Sequence, residues 1–145
     1  MHKQLEQLND GLAKINSTIP SINYGGCGVF AGLLGEQLQI YTDCLIKIAV
    51  CDYDSDAETV WYRKTFHHVW LELKFNNRWY SIDSDGIIKG NKGINWMKPH
   101  KVRFNVDHII KLAVNRSKGW STIFDRKQIP KLAGLIEQEV KQIFS

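Results

Sequence analysis

The chain has 145 residues, of which 43% are hydrophobic and 23% charged, and a formal net charge of +4. That length fits one domain spanning residues 1–145, able to bury about two-thirds of its unfolded surface without help from a metal or a disulfide, and the composition excludes long disordered regions. The basic residues are scattered, and their densest run, Lys98 to Arg103, is interrupted by Pro99 and Val102, so the charge reads as a solvated surface with no nucleic-acid partner.

In chain order, Leu5, Leu8, Leu12 and Ile15 recur at helical spacing and predict an amphipathic helix over residues 2–16, weakened by Asn9-Asp10-Gly11. The opening Met1 to Glu6 lacks the apolar run of a secretory signal, and nowhere do 18 apolar residues follow one another, so a cytoplasmic protein without a membrane span is expected. After Pro20 the turn Asn23-Tyr24-Gly25-Gly26 leads into Cys27 and a second helix carrying Phe30, Ala31, Leu33, Leu34 and Leu38. A buried strand is expected from about Ile40 to Val50, which sets Cys44 and Cys51 on opposite faces. Three cysteines cannot all pair with one another, and reduced thiols are expected. The acidic run Asp52 to Asp56 lacks the glycine and distal glutamate of a calcium loop and reads as a solvated turn.

Strands are then expected from about Val60 to Phe75 and from Arg78 to Asp83, joined by Asn76-Asn77, a dipeptide suited to a two-residue turn with positive φ. That turn pairs Phe75 with Arg78, Leu73 with Tyr80 and Trp70 with Asp83, and places His68 diagonally from Asp83 on one face. Val69, Leu71, Leu73 and Phe75 occupy the other, apolar face. Further elements are a short strand at Ile87-Ile88, a helix capped by Asn105, and a last helix opened by Pro130.

Cysteine at a helix N-terminus, then histidine and aspartate on adjacent strands, is a pattern for nucleophilic catalysis. The helix terminus and an imidazolium both stabilise a thiolate, and a carboxylate on the far ring nitrogen orients the imidazole. Cys27 is the candidate nucleophile, His68 the base, ahead of its neighbour His67, and Asp83 the orienting acid, with Asp85 left open because a shift of two residues keeps the same face. Gly26 lets a carbonyl approach the backbone, and the Cys27 amide with the Asn23 or Tyr24 side chain can bind an oxyanion. Trp70 is a cleft wall or a packing residue. Singly, each has a plainer reading: a buried thiol, a tight turn, a strand histidine, turn-forming aspartates. Cys27, His67 and His68 lack the paired spacing of a structural zinc site, so neither metal nor cofactor is expected.

Three segments together resemble the core of the transglutaminase-like and papain-like cysteine enzymes. Cys27-Gly-Val-Phe-Ala31 is similar to the nucleophile helix, where an alanine four residues on allows close packing; His68-Val-Trp-Leu-Glu72 is similar to the histidine strand; Trp79-Tyr-Ser-Ile-Asp83 is similar to the strand that carries the acid. The likeness covers residues 20–88. It implies an α+β fold with the nucleophile-bearing helix packed on an antiparallel sheet, and a thiol hydrolase acting on a protein or peptide substrate through an acyl-enzyme, a minimal core of the kind common in bacterial and phage genomes. Acyl transfer to an amine and a non-catalytic peptide-binding module are the alternatives. Ser84 stands where the family often has proline, and the loop between helix and histidine strand is short. The oligomeric state is not legible.

Overall fold

A computed structural model describes residues 2–23, 26–51, 68–90, 102–104 and 124–145. The calls on Tyr24, the acidic run 52–56, residues 60–67 of the long strand including His67, most of the basic run 98–103 and the helix after Asn105 lie outside the described residues. The described residues form an α+β arrangement of three α-helices and a five-stranded antiparallel sheet. None of these helices is long and apolar enough to cross a membrane.

Helix α1 spans Lys3–Thr18 and buries Leu5, Leu8, Leu12 and Ile15, as their spacing requires. Asn9-Asp10-Gly11 does not break it. Gly11 faces the last helix, α3 (Ile129–Phe144), so closely that a Cβ there would stand 2.5 Å from Glu139 Oε2, and tertiary packing therefore outweighs the weak local propensity. Helix α2 spans Cys27–Tyr41 and is buried on most of its surface, which makes it the centre of the core. Helix α3, Ile129–Phe144, follows a 3₁₀ turn whose Lys127 amide donates to Asp125 Oδ1 at 3.0 Å. Pro130 sits in its first turn, where a missing amide hydrogen costs nothing.

Strand β1 is Leu45–Cys51, β2 His68–Phe75, β3 Arg78–Asp83, β4 Gly86–Lys89 and β5 Val102–Phe104, in the spatial order β4-β3-β2-β1-β5. The first strand begins five residues later than its β-rich composition predicts. Ile40 and Tyr41 complete α2 instead, and Thr42 closes the helix by donating from both its amide and its hydroxyl to the Leu38 carbonyl, at 2.9 and 2.6 Å. Capping of an already nucleated helix wins here over β-branching, and Cys44 consequently lies before the strand.

The central hairpin has the expected register, Phe75 opposite Arg78 and Leu73 opposite Tyr80. Asn76 and Asn77 take φ values of 50° and 65°, the left-handed pair that matches strand twist. A second hairpin pairs Asp83 with Gly86. Gly86 has φ 132° and lies so near α1 that a Cβ would meet Asn9 Oδ1 at 2.6 Å; the same oxygen accepts from the Ile87 amide at 2.9 Å. Helix α1 thereby anchors the edge strand beside the acid.

The apolar face of the sheet, with Ile48, Val69, Leu71, Leu73, Tyr80 and Ile82, packs against α2, and α1 and α3 complete the same core. Ala49 and Trp70 form a separate small cluster on the opposite face. Helix α2 therefore lies over the apolar face, and its N-terminus meets the catalytic candidates at the end of the sheet.

Candidate active site

Three element ends converge. Cys27 opens α2, His68 opens β2, and Asp83 closes β3, so the hairpin register brings the histidine and the acid to one end of the sheet. His68 Nε2 lies 3.2 Å from Asp83 Oδ2, with the two side chains 5% and 12% exposed. Nδ1 is the ring nitrogen not engaged by Asp83, and Cys27 at the start of α2 is near enough to the ring to act on its charge.

Burial disfavours the imidazolium and is the largest influence on His68, but it acts against a combined opposing set: the bond to Asp83, the bond to Cys27 and the charges of both. The opposing set wins, and the ring is raised from 6.5 to about 9. It therefore carries its proton at neutral pH. Trp70 is buried and stacks on His68 with centroids 5.9 Å apart and an interplanar angle of 18°. That contact holds the ring's plane, so Trp70 packs against the imidazole.

The acid is held from a second side. Its Oδ1 accepts the Asp85 amide at 2.8 Å, the local turn that aspartate forms with a residue two positions on. Asp85 turns its own carboxylate to Asn23, whose Nδ2 donates to Oδ2 at 2.9 Å. Of the two aspartates left open by the sequence, Asp83 is the one on His68. Asn23 directs its amide nitrogen to Asp85, not toward the nucleophile's backbone.

Ahead of Cys27, the Gly26 amide donates to Ile22 O at 2.7 Å, and Gly26 as N-cap supplies no side-chain hydrogen bond to the first turn of α2. Among the described residues no acceptor takes the Cys27 amide, so it keeps its partial positive charge for a ligand. Gly26 is required for a steric reason. A Cβ there would stand 2.8 Å from Ile22 O and 2.8 Å from Phe124 Cγ. Phe124 is buried, and nothing in its sequence neighbourhood marks it as a wall behind the nucleophile. Gly26→Ala should cost about 1–3 kcal/mol, as overpacking does, and slow Cys27 alkylation; urea denaturation and labelling kinetics measure the two effects.

Ala31 is fully buried at the position where a close helix contact is expected. Ser84 is 1% exposed within the turn that follows the acid. Among the described residues no group of three or more histidine, cysteine, aspartate or glutamate side chains is arranged to hold a metal ion. Comparison with known proteins finds no matching family model, no matching curated protein and no matching solved structure.

Proposed function

We propose that this protein is a thiol hydrolase of peptide or amide bonds, built as a minimal core of the transglutaminase-like and papain-like kind. The observation that carries the reading is the meeting of Cys27, at a helix N-terminus, with a His68 imidazole that is bonded through Nε2 to Asp83.

In this mechanism the Cys27 proton is held on His68. Sγ attacks the carbonyl carbon, and the oxyanion that forms faces the unsatisfied amides of the first turn of α2. The carbon–nitrogen bond breaks as His68 gives its proton to the departing amine, which leaves a thioester on Cys27. Water then adds to the thioester while His68 takes one of its protons, the carbon–sulfur bond breaks, and the acid product departs with the Cys27 thiolate and the protonated His68 restored. Asp83 holds the imidazole in orientation and offsets its charge without itself becoming protonated.

The test needs no substrate. Iodoacetamide labelling between pH 5 and 9, resolved by mass spectrometry, should show Cys27 reacting at least about tenfold faster than Cys44 at neutral pH, with that advantage gone in His68→Ala. Equal rates at both cysteines in the wild-type protein would falsify the reading.

A further inference from the structure

We infer that Asn23 and Asp85 are positioning residues: their side-chain hydrogen bond clamps the loop before the nucleophile to the turn after the acid, and so fixes the Asp83 carboxylate on His68. This rests on the acyl-transfer reading of the site.

The contacts close a ring. Asn23 lies four residues before Cys27 and follows the fully buried Ile22, whose carbonyl accepts from the Gly26 amide. From Cys27 the ring passes to His68, then through Nε2 to Asp83 Oδ2 at 3.2 Å. The other oxygen of Asp83 is taken by the Asp85 amide at 2.8 Å, and the Asp85 carboxylate returns to Asn23 Nδ2 at 2.9 Å. With both oxygens engaged from different elements, the Asp83 carboxylate cannot rotate without breaking one of the two bonds.

The stretch from Ile87 onward is tied to α1 through Asn9, whereas among the described residues it is Asn23 that joins the tip of this turn to the segment before Cys27. Asp85 is exposed and Asn23 half-buried, so the bond contributes little to stability. What it supplies is relative position. A carboxylate displaced by about 1 Å loses most of its hold on an imidazole, which is a large effect on the pair from a small one on the fold.

The groups that face His68 with charge or a titrating proton, among the described residues, are Asp83 from β3 and Cys27 from α2. NMR titration of the His68 imidazole therefore reports whether the acid is still in place, and iodoacetamide labelling of Cys27 reports whether the nucleophile is. Asn23→Ala and Asp85→Ala should each lower the His68 midpoint by about one pH unit and slow Cys27 labelling about tenfold, with thermal melting changed by only a few degrees. Asp85→Asn retains an oxygen for Asn23 and the amide for Asp83, and should behave as wild type. Wild-type His68 titration in both alanine variants overturns the inference. So does an Asp85→Asn protein as impaired as Asp85→Ala, because charge and not the clamp would then be responsible. If wild-type Cys27 labels no faster than Cys44, the hydrolase reading fails by itself, and the His68 titrations still decide the clamp.

Discussion

Cys27→Ala and His68→Ala should each reduce hydrolysis of a peptide or amide substrate to background, a loss of at least about 10⁴-fold, while Cys44→Ala retains the wild-type rate. The two losses should not add. A nucleophile and its proton partner act as one unit, so the double variant should be no slower than either single one. Asp83→Asn should fall by about 10²–10⁴-fold, because the amide cannot balance the imidazolium charge although it keeps a similar shape. Far-ultraviolet circular dichroism and urea denaturation should show that Cys27→Ala remains folded, since a small apolar side chain suits its 93%-buried site, 7% exposed. A folded Cys27→Ala protein with full turnover would remove Cys27 from the chemistry altogether.

The second large effect is on stability as a function of pH. His68 titrates at about 9 in the folded chain and near 6.5 when unfolded, so the folded state binds its proton more tightly. A raised value of this kind stabilises the fold fully below pH 6.5, and the contribution disappears as the pH climbs through 9. The shift corresponds to about 3 kcal/mol. Urea denaturation at pH 6 and at pH 9.5 should therefore show the protein losing stability on the alkaline side by an amount of that order, and His68→Gln should flatten the dependence. A wild-type protein equally stable at both pH values, or one that gains stability toward pH 9.5, would show that Asp83 and Cys27 do not hold the proton on His68.

Much of this site was legible because it depends on short-range rules. The parity of a strand and the φ preferences of Asn76-Asn77 fix the register of the hairpin, and register alone puts His68 and Asp83 on one face. Glycine before a cysteine that opens an apolar helical stripe likewise locates the start of α2 at Cys27. The start of β1 was misplaced for an equally local reason: Ile40-Tyr41-Thr42 has the composition of a strand, while the helix that precedes it reaches as far as its last carbonyl can be capped.

Other features depend on contacts between distant parts of the chain. Strand parity separates His68 from the apolar face, and only the fold shows that α2 covers that apolar face and still brings Cys27 to His68 at the sheet's end. The choice of Asp83 over Asp85 could not be made from spacing, since both lie on the correct side; it was made by Asn23, which takes the Asp85 carboxylate. Asn9 and Phe124 carry no local mark of their roles, one bonded to the Ile87 amide, the other standing where a side chain on Gly26 would have to go. Sequence by itself determined which groups this protein has for chemistry and which strand faces they occupy, because periodicity and turn geometry act over a few residues. The tertiary structure decided which of those groups touch, because a hydrogen bond of about 3 Å between elements depends on how whole helices pack against the sheet.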